Sequence, residues 1–167
     1  MRYAELILCS LLVIAQPVLA DGLKSLFGKA INEIGENSHV PVRLPTVIPN
    51  VIAKYGVKSA VGKTSANGYT VSLYYTQEPG NAAYAGMISG STVTFDSLPN
   101  TVPVQLLNGT NALFRAVQCG GSCAPANLWW QVEGVGYSIQ LKLSRKLSEE
   151  AQKKAIIEMA NSMSLVR

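Results

Sequence analysis

Cys119 and Cys123 are the residues best suited by type to do chemistry, spaced C-x-x-x-C in "QCGGSCAP". A thiol–disulfide enzyme needs a thiolate of depressed pKa, usually in C-x-x-C at a helix N-terminus. Here the spacer is Gly120-Gly121-Ser122, Pro125 follows, and no helix start is evident. Two thiolates also fall short of the roughly four ligands of a zinc site. The spacing therefore predicts a disulfide that staples a glycine-loosened loop. So small a loop constrains the unfolded chain little, about 2 kcal/mol or less. Redox chemistry at this pair is the lesser alternative.

Hydrolytic chemistry finds little to work with. The single histidine, His39, lies beside Pro41 and Pro45, and beyond residue 20 the only aspartates are Asp21 and Asp96. A triad would need an acid and a nucleophile to converge on His39. The sequence has no G-x-S-x-G, no H-E-x-x-H and no phosphate-cradling glycine loop. Glu78, Asp96 and Glu133 are the carboxylates available for glycoside cleavage, and nothing in their spacing pairs them. The expectation is a protein that is not an enzyme, with no metal and no cofactor.

What remains is aromatic surface. In "NLWWQVEGVGYSIQL", Leu128, Trp130 and Val132 alternate onto one side of a strand, leaving Trp129 with Gln131 and Glu133 on the other. In "GYTVSLYY", Tyr69, Val71 and Leu73 point one way, and Thr70, Ser72 and Tyr74 the other. Trp129 and Tyr74 thus fall on faces otherwise polar. Together with Gln131 they are the candidate binding residues, unless a segment of the chain covers them.

The elements that must position these residues are mostly strands. "VKSAVGKTSANGYTVSLYY" predicts a hairpin turning near Asn67-Gly68, and "TVPVQLLNGTNALFRAVQC" a second turning at Asn108-Gly109. A third turns at Glu133-Gly134-Val135-Gly136. Between the first two, "AAYAGMISGSTVTFDSLPN" predicts one or two strands with bulges at Gly86 and Gly90. Asn108-Gly109-Thr110 also reads as a glycosylation sequon, although the turn alone accounts for it. The sum is six or seven antiparallel strands in meander order.

Helices flank them. Leu23, Leu26, Phe27, Ala30, Ile31 and Ile34 recur at helical spacing in residues 21–39, an amphipathic arm closing near Gly35. It either covers the domain or docks on a membrane surface or partner. "HVPVRLPTVIPN", with prolines at 41, 45 and 49, predicts an extended segment. "SEEAQKKAIIEMANSM" predicts a C-terminal helix capped by Ser148, its Ala155, Ile156, Met159 and Ala160 stripe covering the sheet, with Glu150 and Lys154 placed to pair. The fold class is α+β: an antiparallel sheet covered by a C-terminal helix, with an N-terminal amphipathic helix.

Residues 1–20, "MRYAELILCSLLVIAQPVLA", have Arg2, an apolar run from Leu6 to Ala15 and small residues before Asp21, the pattern of a secretory signal cleaved after Ala20. The run is too short for a span of about 30 Å. Removing it takes away Cys9 and leaves Cys119 and Cys123 as a pair in an oxidising compartment, the periplasm or the extracellular space. The organisation expected is signal peptide 1–20, helical arm 21–39 and one domain, 40–167. The formal charge of +4 on 167 residues is scattered, without a basic run, which argues against nucleic acid.

"VPVRLPTVIPN", "ANLWWQVEGVGYSIQL" and a helix ending "MANSM" together resemble a group of small exported bacterial domains. Those domains share a P-x-x-L-P-x-x-x-P lead-in, a W-x-x-x-G-x-x-Y hairpin and a helix closing in A-N-S. Similar modules occur as periplasmic lipoproteins and as extracytoplasmic parts of anti-sigma-factor-like and sporulation proteins. The resemblance covers residues 40–164 and implies an exported, non-catalytic domain. The lipidated cysteine of the lipoprotein members has no counterpart here. The expected function is a binding or accessory domain recognising a protein or envelope component. The alternative is a carrier of an apolar ligand between sheet and helix.

Overall fold

Alternation of apolar and polar side chains sets the main sheet of the computed structural model. The model describes residues 21–166 except 36, 54, 55 and 96; residues 1–20, expected to be a signal peptide, and Asp96 lie outside the described residues. In chain order the elements are α1 (Asp21–Ile34), β1 (Arg43–Pro45), α2 (Asn50–Ala53), β2 (Ser59–Ser65), β3 (Gly68–Tyr74), β4 (Tyr84–Ser91), β5 (Val102–Gln105), β6 (Asn111–Arg115), β7 (Gln118–Cys119), β8 (Cys123–Ala124), β9 (Ala126–Val132), β10 (Val135–Leu141), α3 (Glu149–Asn161) and β11 (Met163–Leu165).

Seven antiparallel strands pair in the order β2-β3-β4-β10-β9-β6-β5. This is the α+β fold the sequence predicts, with one difference in order. Two short meanders, β2-β3-β4 and β5-β6-β9-β10, join through a central β4–β10 pair, so the chain does not run as a single meander. After β4, residues 92–101 carry the chain from the middle of the sheet to its far edge.

Register fixes the faces. Val71 sits opposite Ile88, Ile88 opposite Ile139, Ile139 opposite Leu128 and Leu128 opposite Phe114, one continuous apolar row across five strands. All five are fully buried. Helices α1 and α3 lie on this face. Phe27, Ala30 and Ile34 of α1 and Ile156 and Met159 of α3 join the same core. Residues 21–34 are therefore part of the packed body, their apolar stripe turned inward.

Helix α1 also covers an edge of the sheet. Gly62 of β2 donates its N–H to Glu33 Oε2 at 2.9 Å, and a Cβ at Gly62 would stand 2.6 Å from Ala30 O. The unpaired N–H of an edge strand is thus answered by a helix side chain. The opposite edge, β5, carries Pro103, a residue that tolerates an edge position because it has no N–H to pair.

The turns differ from expectation in instructive ways. Ser65 pairs with Gly68, so the first hairpin turns at Ala66-Asn67 and Gly68 belongs to β3. Glycine is required there by packing: a Cβ would overlap Gly90 O. The third hairpin uses only Glu133 (φ 52°) and Gly134 (φ 78°), the left-handed pair that a two-residue turn demands. Gly86 and Gly90 lie within one continuous β4; Tyr69 and Tyr137 pack over Gly90, and the bulge falls between Leu73 and Tyr74 of the neighbouring strand. The β5–β6 turn holds Gly109 at φ 81°, as the Asn-Gly pair predicts.

At the C-terminal helix, Ser148 Oγ accepts from Ala151 N at 3.2 Å, the expected cap. The ion pair forms one residue earlier than expected, Glu150 with Lys153 at 2.6 Å; i,i+3 neighbours share a helix face as i,i+4 neighbours do. Buried Gln152 fastens the helix to the body by accepting from Val117 N (2.8 Å) and donating to Leu147 O (2.9 Å). Finally β1 and β11 form a separate two-stranded ribbon, Arg43 opposite Leu165 and Pro45 opposite Met163. Among the described residues no helix is long and apolar enough to cross a membrane.

Candidate functional site

The face of the sheet turned away from the helices carries the aromatic candidates. Across it, Thr70, Ser89, Ser138, Trp129 and Leu113 occupy one row, and Ser72, Met87, Gln140, Asn127 and Arg115 the next. Trp129 is the large aromatic of the first row and is half-buried. Helix α1 lies on the other face and does not cover it.

Three neighbours shape the surroundings of Trp129. The Arg115 guanidinium lies 5.0 Å from the ring centroid, a cation–π contact. Phe95, from the long β4–β5 connection, packs at 6.5 Å between centroids with the planes tilted by 56°. Gln131 holds that connection in place, its Nε2 donating to Phe95 O at 3.2 Å. Gly136 provides the seat, since a Cβ there would meet Phe95 Cε2 at 2.8 Å. Phe95, Pro103, Asn111, Leu113, Trp129 and Gln131 line a groove of about 550 Å³. Arg115 supplies positive charge beside it, and its Nε is buried without a hydrogen-bond partner among the described residues.

Of the sequence candidates, then, Trp129 and Gln131 come together. Tyr74 shares their face but not their site: it lies three strands across and four residues along from Trp129, about 20 Å at about 4.8 Å per strand and about 3.3 Å per residue. Tyr74 instead meets Tyr84 edge to face, with centroids 6.2 Å apart. Tyr84 Oη donates to Gln140 Oε1 (2.8 Å), Gln140 Nε2 to Asn127 Oδ1 (3.2 Å) and Asn127 Nδ2 to Pro125 O (2.8 Å). Burial, reinforced by Tyr74, pushes the Tyr84 hydroxyl up to about 12. This end of the face is a tied-off polar network.

The remaining candidates stand apart. Cys119 and Cys123 are disulfide-bonded and exposed, closing the β7–β8 hairpin across its three-residue loop, where Gly120 N donates to Ser122 O at 2.9 Å. His39 is exposed at the rim of a groove between the end of α1 and β11. Neighbouring Ser38 has its hydroxyl engaged with Val40 O at 2.8 Å. Among the described residues no three His, Cys, Asp or Glu side chains converge as metal ligands would.

Two contributors are not evident from the sequence. Phe95 lies in a stretch whose alternation is broken by Gly90 and Pro99, and only its aromatic type in a polar segment marks it. Arg115 follows a regular β6 alternation, and its position beside Trp129 depends on the β6–β9 pairing. No protein-family model, curated protein or solved structure matches the chain.

Proposed function

We propose that this chain is an exported, non-catalytic binding or accessory domain that engages a protein or envelope component through the groove beside Trp129. The observation that carries the reading is a large aromatic left partly exposed on a mostly polar sheet face, flanked by a cation and by a second aromatic. Aromatic and arginine side chains of this kind dominate binding energy at interfaces. Export rests on the sequence of residues 1–20 and agrees with a disulfide between the two cysteines that follow them. Kinship with periplasmic lipoproteins and anti-sigma-factor-like ectodomains rests on the motifs quoted above.

The carrier alternative requires space between sheet and helices. That layer is occupied by Phe27, Ile34, Ile88, Leu128, Ile139 and Ile156, all fully buried. A redox role would place its chemistry at the exposed β7–β8 hairpin.

The test compares envelope proteins crosslinked by the wild type and by Trp129→Ala and Arg115→Ala variants of unchanged circular dichroism. A partner captured by the wild type and lost from both variants supports the reading; equal capture removes the site. A native mass spectrum of protein recovered from an export-competent host checks the rest. A mass starting at Asp21, less two hydrogens, is expected, whereas a discrete bound lipid mass would favour the carrier.

A further inference from the structure

A second cleft, on the opposite side of the sheet from Trp129, sets Arg43, Asn108 and Asn161 among apolar walls. It measures about 130 Å³ and is bounded by Arg43 of β1, Asn108 of the β5–β6 turn, Trp130 of β9, Asn161 at the end of α3 and Met163. Its amides are oriented by their own oxygens. Asn161 Oδ1 accepts from Leu107 N at 2.9 Å and Asn108 Oδ1 from Thr110 N at 3.0 Å. Each therefore keeps its Nδ2 hydrogens to donate elsewhere.

Arg43 completes the set. Its guanidinium lies 5.8 Å from the Tyr137 ring centroid, and that ring is stacked on Trp130 at 5.8 Å and 23°. Its Nε is buried without a hydrogen-bond partner among the described residues. The ion pairs found there join Lys29 to Glu33 and Lys153 to Glu150, so no described carboxylate answers Arg43. An arginine cannot shed its proton, and a partly buried charge is costly unless a counter-charge meets it. Tyr69 Oη holds the Arg43 backbone, and the guanidinium rests over the Tyr137 ring, so the cation is placed in advance of any ligand.

The mouth of the cleft adds apolar character. Leu107 is 89 % exposed at its rim. Leu107 and Asn161 are shared with a more open groove of about 450 Å³ that also takes in Ile157 of α3. We infer that Arg43, Asn108 and Asn161 form a site for the carboxylate of a ligand whose apolar stem lies along Leu107 and Ile157. The guanidinium fork suits a carboxylate, and the exposed leucine suits what the carboxylate is attached to.

The test titrates full-length mature protein with acetate, hexanoate and N-acetyl-leucyl-leucine at constant ionic strength, following Arg43 Nε–H and the Asn161 side-chain amide by NMR. Saturable shifts are expected, with hexanoate or the dipeptide binding at least about tenfold more tightly than acetate through burial of the stem. The tighter of these two assigns the stem to an acyl chain or to a peptide C-terminus. Arg43→Gln should abolish saturation. Asn161→Asp keeps the acceptor for Leu107 N and supplies an internal carboxylate for Arg43; it should also abolish binding while raising Tm, which keeps the test decisive if Arg43→Gln misfolds. Linear shifts in the wild type, or unchanged binding in Asn161→Asp, would overturn the assignment.

Discussion

Tyr69 Oη accepts a hydrogen bond from Arg43 N and donates one to Arg43 O, both at 2.9 Å. One phenol in the main sheet thus satisfies both backbone groups of a residue 26 positions earlier, tying the β1–β11 ribbon to β3. Tyr137, two strands away, makes a single bond to the same segment, donating to Pro41 O at 3.0 Å. These two hydroxyls dock the proline-rich segment, which can form few backbone bonds of its own.

Tyr69→Phe should therefore lower stability by about 1–3 kcal/mol, the cost of leaving a shielded N–H and C=O unanswered. Urea denaturation followed by far-ultraviolet circular dichroism measures it. An unchanged midpoint would mean that water replaces the phenol without loss.

The adjacent tryptophans should behave as opposites. Trp130 is 5 % exposed and stacked on Tyr137, while Trp129 faces the outer groove. Trp129→Phe should leave blue-shifted emission that acrylamide quenches weakly. Trp130→Phe should leave a quenchable emission and cost about 1–3 kcal/mol through imperfect repacking. Equal quenching of both variants would contradict the face assignment.

Reduction of Cys119–Cys123 should be easy and nearly harmless. The bridge closes a short exposed loop, so Cys119→Ser with Cys123→Ser should cost about 2 kcal/mol or less. A mild reductant followed by thermal melting checks this, and a large fall in Tm would give the hairpin a role in the core.

Alkali should unfold the protein through its tyrosines. Burial pushes Tyr84 up to about 12, and pushes Tyr69 and Tyr137 up as well. A raised phenol pKa favours the neutral form in the fold. Its stability contribution is full below about pH 10, the unfolded value, and is lost as pH climbs from there through 12. Ultraviolet titration of the phenolates alongside circular dichroism should show part of the ionisation delayed until the fold gives way.

The local patterns were legible in the sequence because they obey periods of two and of 3.6 residues. They separate Trp129 from Trp130, place Gln131 beside Trp129 and delimit α1 and α3. Long-range pairing was not legible. Where β10 lies against β4, Tyr69 and Tyr137 both pack over Gly90, a three-residue coincidence across distant strands that no local period announces. Arg43 reads as an ordinary cation in an extended segment until β11 folds back beside it. Tyr74 and Trp129 share a face in the pattern, but only the strand order reveals the distance between them.

The pairing of β1 with β11 gives the molecule a property of timing. Pro45 meets Met163 and Arg43 meets Leu165, so the first strand waits for residues roughly 120 positions later before it has a partner. Contacts this distant in sequence slow folding. A growing chain assembles its hairpins early yet stays unlatched at Arg43 until β11 emerges, and a truncation before Met163 would leave the clasp permanently open.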